Sequence, residues 1–165
     1  MKVIYITGFM GSGKTTVGAI LGEMTGLPVY DIDQEVIKAE GMSISELFAD
    51  KGEAYFRQRE SGMLRSLPAA DAIITTGGGT VLQEENRQFM KENGRVVFLD
   101  CRIEEIERRL AADTSRPLLA GNKKSDLRRL YEERLPVYRE AEITISIDRQ
   151  TAGEAAAEIL KRIES

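Results

Sequence analysis

Eight residues near the N-terminus have the types and spacing of a phosphate cradle. Gly8-Phe9-Met10-Gly11-Ser12-Gly13-Lys14-Thr15 fits the full G-x-x-x-x-G-K-[ST] pattern. Glycines let the backbone curl until successive N–H groups point at phosphate oxygens, and a helix beginning at the loop's end adds partial positive charge. In such a loop, formed here by Gly11, Ser12 and Gly13, Lys14 reaches the β- and γ-phosphates and the Thr15 hydroxyl coordinates Mg²⁺. A plain glycine-rich turn is the competing reading; the pattern, its position and the flanking elements all argue against it. The motif points to a nucleotide and leaves the phosphate acceptor open.

Further along, Val29-Tyr30-Asp31-Ile32-Asp33 brings two carboxylates to the end of a short apolar segment. On an extended strand, residues two apart point to one side and Ile32 to the other. Mg²⁺ prefers oxygen ligands and retains water, so Asp31 can hold it directly or through water. Asp33 can accept a hydrogen bond from an acceptor hydroxyl and take its proton, or either acid can simply cap the strand end. The chain has no histidine, which leaves a carboxylate as the strongest base candidate.

Glu53, Arg57 and Glu60 follow at i, i+4 and i+7. They form either a surface ion ladder or a guanidinium fork held by acids and offered to a planar carboxylate. Spacing leaves both open. Gly77-Gly78-Gly79 is either a tight turn or a place where a ligand approaches peptide N–H groups. Arg116, before Pro117 in a polar stretch, can close over ATP and stabilise charge developing on a transferred phosphoryl group. Arg134 lies before Pro136 in a charged helical stretch and reads equally well as a surface arginine.

The elements that must position these residues alternate along the chain. Candidate strands are Lys2–Thr7, Val29–Asp31, Ala72–Thr76, Arg95–Asp100 and Glu142–Ile147, rich in Val and Ile. Between them run helical patterns, such as Val17, Ile20, Leu21 and Met24, or Ile103, Ile106 and Leu110. Ser43 with Glu46 and Thr151 with Glu154 have capping-box spacing. The pattern predicts a three-layer α/β domain with a central five-stranded, largely parallel sheet, whose strand-to-helix loops share one edge. Within a single domain over 1–165, residues 33–67 read as an inserted helical substrate-binding segment and 111–125 as a mobile lid.

Length and composition agree with one ordinary globular domain: 165 residues, 42% hydrophobic and 30% charged. A net charge of -4 argues against a nucleic-acid-wrapping surface. No apolar run approaches the roughly 20 residues of a membrane span, and the N-terminus does not look like a signal peptide. One cysteine, Cys101, allows no intrachain disulfide and, without histidine, no Cys/His zinc cluster. A reducing cytoplasm is expected, and nothing suggests obligate assembly, so a monomer is expected too.

In combination, these motifs resemble the shikimate kinase family over nearly the whole chain. The likeness rests on Gly11-Ser12-Gly13-Lys14-Thr15-Thr16, Asp31-Ile32-Asp33 and the block Ile44 to Phe48 followed by Gly52-Glu53, Phe56-Arg57 and Glu60. It continues with Gly77-Gly78-Gly79, Arg116-Pro117-Leu118-Leu119 and Arg134-x-Pro136-x-Tyr138. The resemblance implies a nucleoside-monophosphate-kinase-like fold that uses ATP and Mg²⁺ to phosphorylate the 3-hydroxyl of shikimate, on the route to chorismate and aromatic amino acids. Carried onto this sequence, it assigns Asp33, Arg57, Gly78 and Arg134 to shikimate and Thr16 to the nucleotide loop. Arg57 and Arg134 would hold the carboxylate. It implies Arg116 as the lid arginine and Arg149 near the adenine, with Gln150 the alternative. Two rivals stand beside it: a kinase for gluconate, another anionic polyol or a nucleotide, and a noncatalytic nucleotide-regulated binding module.

Overall fold

Five short parallel strands form the centre: β1 (Val3–Thr7), β2 (Val29–Asp31), β3 (Ile73–Thr75), β4 (Gly94–Asp100) and β5 (Ile143–Ser146), in the order β2-β3-β1-β4-β5. The computed structural model describes residues 1–111 and 124–165. β1 is buried along its whole length and pairs with β3 and β4. A strand covered on both faces must be apolar throughout, which is why Val3-Ile4-Tyr5-Ile6 shows no polar alternation.

Helices α1 (Lys14–Thr25) and α7 (Ala152–Glu164) pack against each other on one face, and α4 (Glu84–Asn93) lies against β4. The direction of the chain reverses between β1→β2 and β3→β4, so right-handed crossovers place α1 and α4 on opposite faces. The remaining helices are α2 (Ile32–Glu40), α3 (Ile44–Ser66), α5 (Ile103–Ala111) and α6 (Lys124–Tyr138). Both capping boxes form, at Ser43 of α3 and Thr151 of α7. The lid expected over 111–125, with Arg116, lies outside the described residues except at its ends, where α5 closes and α6 opens.

The apolar stripe of α1 is not quite the one the spacing predicts. Val17 and Leu21 are buried, but Met24 is 44% exposed. The helix instead turns Gly18 and Gly22 to the sheet. A Cβ on Gly18 would come within 2.7 Å of Thr75 Cγ2, and one on Gly22 within 2.4 Å of Val29 Cγ2. This close seat holds the N-terminus of α1 at the edge where β1, β2 and β3 end.

Candidate active site

The phosphate loop joins β1 to α1 with left-handed backbone at Gly11 (φ 79) and Gly13 (φ 92). These conformations are strained for residues with a Cβ. Lys14 Nζ donates to the carbonyls of Gly8 (2.6 Å) and Phe9 (3.2 Å), which holds the ammonium in the curl of the loop. Ser12 is fully buried, and its hydroxyl has no hydrogen-bond partner among the described residues. Arg109 of α5 donates from Nη1 to Gly11 O (3.0 Å) and from Nε to Glu105 (3.0 Å). The hydrogen bonds of Arg108 and Arg109 hold the Glu105 carboxyl down at about 2.

β2 ends at Asp31 and the chain enters α2 at once, so Asp33 belongs to the first turn of a helix. The strand alternation expected for this pair therefore does not apply. A helix N-cap makes the arrangement instead: Asp31 Oδ1 accepts from Gln34 N (3.0 Å). Its Oδ2 accepts from the hydroxyls of Thr75 (2.8 Å) and Thr15 (3.4 Å). Thr15 and Asp31 thus present hard oxygen donors side by side. Among the described residues, no cluster of three or more acidic, cysteine or histidine side chains could hold a metal alone. That donor set fits an ion such as Mg²⁺, which keeps waters and takes further ligands from phosphates.

Beside the loop opens a cleft of about 330 Å³ lined by Lys14, Thr15, Asp31, Asp33, Arg57, Gly78 and Arg134. Arg57 is neither a plain surface ladder nor a free fork. Its Nη1 donates to both oxygens of Glu60 (3.0 and 3.3 Å), its Nε lies 3.5 Å from Glu53, and Glu60 is 1% exposed. Glu60 also accepts from the Thr80 hydroxyl (3.0 Å), which in turn accepts from Gly77 N (3.0 Å). Two of the three glycines, Gly77 and Gly79, are explained by these side chains. A Cβ on Gly77 would lie 2.6 Å from Asp33 Oδ1 and 2.7 Å from Glu60 Oε2, and one on Gly79 would lie 2.4 Å from Arg57 Nη1. The glycines make room for the cleft's own charged groups, not only for a ligand.

Arg134 is buried, at 4% exposure, rather than on the surface. Its guanidinium carbon lies 5.8 Å from the centre of the Phe9 ring, and its Nε and Nη1 have no hydrogen-bond partner among the described residues. Buried guanidinium donors left unsatisfied carry a desolvation cost that a planar anion would offset through paired, charge-assisted hydrogen bonds. Next to it, the Tyr138 hydroxyl donates to Gly78 O, and its ring stacks on Phe98 at 5.2 Å. Burial pushes this phenol up to about 12, against the opposing pull of Arg134.

Lys14, Thr15, Asp31, Asp33, Arg57, Gly78 and Arg134 are thus brought together, with Gly11, Ser12, Gly13 and Thr16 contiguous in the loop and α1. Arg149 does not line the cleft; it is exposed, at φ 66, in the turn between β5 and α7. Gln150, the alternative, hydrogen-bonds Ser146 O and Glu158. Arg116 lies outside the described residues. Sequence reasoning missed Thr75 and Thr80 as partners of the acids, and Arg109 against the phosphate loop. Their signal was weak, because each contact joins residues far apart in the chain.

A phosphate loop at the edge of a parallel sheet in this strand order, next to a charged cleft, defines a nucleotide-binding kinase of the P-loop class. The family model described as "Shikimate kinase" matches residues 10–164. The chain belongs to the shikimate kinase family. A shikimate kinase of Bacillus cytotoxicus is 47% identical over 165 residues, covering 100% of both chains. One of Persephonella marina is 44% identical, covering 99% of each. The solved structure of the Acinetobacter baumannii shikimate kinase in complex with shikimate is similar at a TM-score of 0.94 and 39% identity, covering 99% of this chain and 93% of that one.

Proposed function

We infer that this chain catalyses the ATP-dependent phosphorylation of shikimate at its 3-hydroxyl, giving shikimate 3-phosphate and ADP for chorismate and aromatic amino-acid biosynthesis. The observation that carries the reading is Arg134, a buried guanidinium with two unpartnered N–H groups in the cleft that also holds Arg57 and Asp33. Together the two arginines suit one small carboxylate.

In this mechanism the loop N–H groups and Lys14 hold the β- and γ-phosphates of ATP. Thr15 and Asp31 hold Mg²⁺, which when bound neutralises phosphate charge. Asp33, in the first turn of α2, accepts a hydrogen bond from the 3-hydroxyl and receives its proton as the phosphoryl group transfers in line. Arg57 and Arg134 fix the carboxylate, and Gly78 lets the ring approach. These contacts hold the hydroxyl oxygen in line for attack. Arg116 stabilises the transferring group, and Arg149 contacts the adenine. Residues 33–67 serve as the acceptor-binding segment within a single domain, and 111–125 as the lid. The reading includes a monomer in a reducing cytoplasm, to which the buried lone thiol of Cys101 is suited.

The test is ADP release with ATP and Mg²⁺ while shikimate, quinate, gluconate and nucleoside monophosphates are supplied separately. Strong stimulation by shikimate alone is expected. Stimulation by another acceptor, or nucleotide binding without turnover across the panel, would overturn the assignment.

A further inference from the structure

Helix α3 is two segments. Gly52 has φ 85 and ψ 164, so residues 44–51 and 53–66 meet at a kink. The first segment gives Ile44, Ser45 and Phe48 to the acceptor cleft, and the second gives Phe56, Arg57 and Glu60. The angle at Gly52 therefore sets how far apart these walls stand. Apart from its own neighbours along the chain, nothing lies within 4 Å of where a Gly52 side chain would begin, so the angle is held by side chains on either side of it, among them Phe48 and Phe56, whose ring centres lie 5.3 Å apart across the kink.

Glu40, the last residue of α2, spans the kink from outside. Its carboxylate lies 3.8 Å from Lys51 Nζ, just before the kink. Beyond the kink, it accepts from the Tyr55 hydroxyl (2.8 Å) and pairs with Arg59 Nε (2.7 Å). The Lys51 ammonium also sits 4.7 Å from the centre of the Tyr55 ring, which ties the two sides together a second time. Glu40 is 10% exposed in its side chain, and these donors hold its carboxyl below the usual range, the Tyr55 hydrogen bond contributing most. Separate exposed ion pairs contribute little, because each leaves long side chains free to move. Several donors converging on one largely covered carboxylate restrict one another. The opposite end of the same helix carries Asp33.

We propose that Glu40 is a positioning residue for acceptor phosphorylation. By tying both sides of the Gly52 kink to the helix that carries Asp33, it fixes the spacing between the acid that meets the hydroxyl and the arginine that meets the carboxylate. Glu40 touches neither substrate; it acts through α2 and α3. The inference rests on shikimate being the acceptor.

The experiment compares Glu40→Ala, Glu40→Gln and the milder Tyr55→Phe with the wild type, by steady-state kinetics and by amide hydrogen exchange. The KM for shikimate rises about tenfold in Glu40→Ala and about threefold in Tyr55→Phe, with Glu40→Gln between them because it still accepts from Tyr55. The KM for ATP stays within about twofold, since the phosphate loop is untouched, whereas kcat with shikimate falls as well, because Asp33 no longer meets the hydroxyl in line. Exchange quickens over residues 44–51 and not over α1. An unchanged shikimate KM, unchanged exchange over 44–51, or shikimate and ATP KM rising in parallel, would overturn the proposal. Should Glu40→Ala fail to fold, Tyr55→Phe carries the same decision. A wild type that ignores shikimate would instead defeat the acceptor assignment, and exchange over 44–51 would still decide the role of Glu40.

Discussion

The phosphate cradle and the acceptor wall meet in one cleft but are built in opposite ways. The cradle is one contiguous stretch, Gly8–Thr15, whose work falls to backbone N–H groups, two left-handed glycines and one lysine. The acceptor wall takes Asp33 from α2, Arg57 and Glu60 from α3, Gly78 from the loop after β3 and Arg134 from α6. Its bonds join residues distant in sequence, such as Thr80 with Glu60 and Tyr138 with Gly78. Backbone donors tolerate many side chains and grip any nucleotide phosphate. Buried charges are costly unless their partners are present, so in the proposed reaction the wall would gain its selectivity from what it leaves unsatisfied.

That contrast breaks if loss of a cradle residue spares any acceptor. Lys14→Met is expected to lower kcat by at least about a thousandfold with every acceptor, since the developing phosphate charge loses its counter-ion. A single-turnover assay would read this. The wall behaves differently: Arg134→Ala lowers kcat/KM for shikimate by about a hundredfold or more while the KM for ATP stays near wild type. Arg57→Ala acts in the same direction. Near-wild-type acceptor kinetics in either variant would remove that arginine from the site.

A smaller change sharpens the same contrast without touching a charge. Gly79→Ala puts a methyl where Arg57 now lies, 2.4 Å from Nη1. Its shikimate KM is expected to rise about tenfold, as for a displaced charged hydrogen bond, with ATP binding preserved. The smallest effect falls on stability. Tyr138→Phe leaves the Gly78 carbonyl without its donor and is expected to cost about 1–2 kcal/mol, read by chemical denaturation. The phenol's folded value of about 12 lies above its ordinary 10.0. Its contribution is therefore complete below about pH 10 and is lost as pH rises towards 12, a loss the Phe variant does not share.

The same division explains how much could be read from sequence. All five strands were legible, as were the phosphate loop and both capping boxes, because each is a local pattern. Asp31 and Asp33 were legible as a pair but not in geometry, since nothing local announces that β2 stops where α2 begins. Met24 looked like core and is exposed, because Gly18 and Gly22 set the buried face of α1 by closeness rather than by hydrophobicity. Arg134 could not be told from a surface arginine until Phe9 and Tyr138 closed around it. Only the ordered combination of motifs, matched to a family, pointed to the substrate-binding role proposed for it. The partners of Glu40 recur every four residues, at Lys51, Tyr55 and Arg59, but the kink at Gly52 interrupts that helix face and Glu40 lies on another helix, so the spacing did not reveal their shared acid.

The central claim is that the buried guanidinium of Arg134 and its neighbour Arg57 wait for one carboxylate. It is tested most directly by measuring kcat/KM for shikimate and for its uncharged carboxamide, in the wild type and in Arg134→Ala. The wild type is expected to prefer shikimate by about a hundredfold or more, and this preference largely collapses in the variant. Equal use of the two acceptors by the wild type, or a preference that survives loss of Arg134, would contradict it.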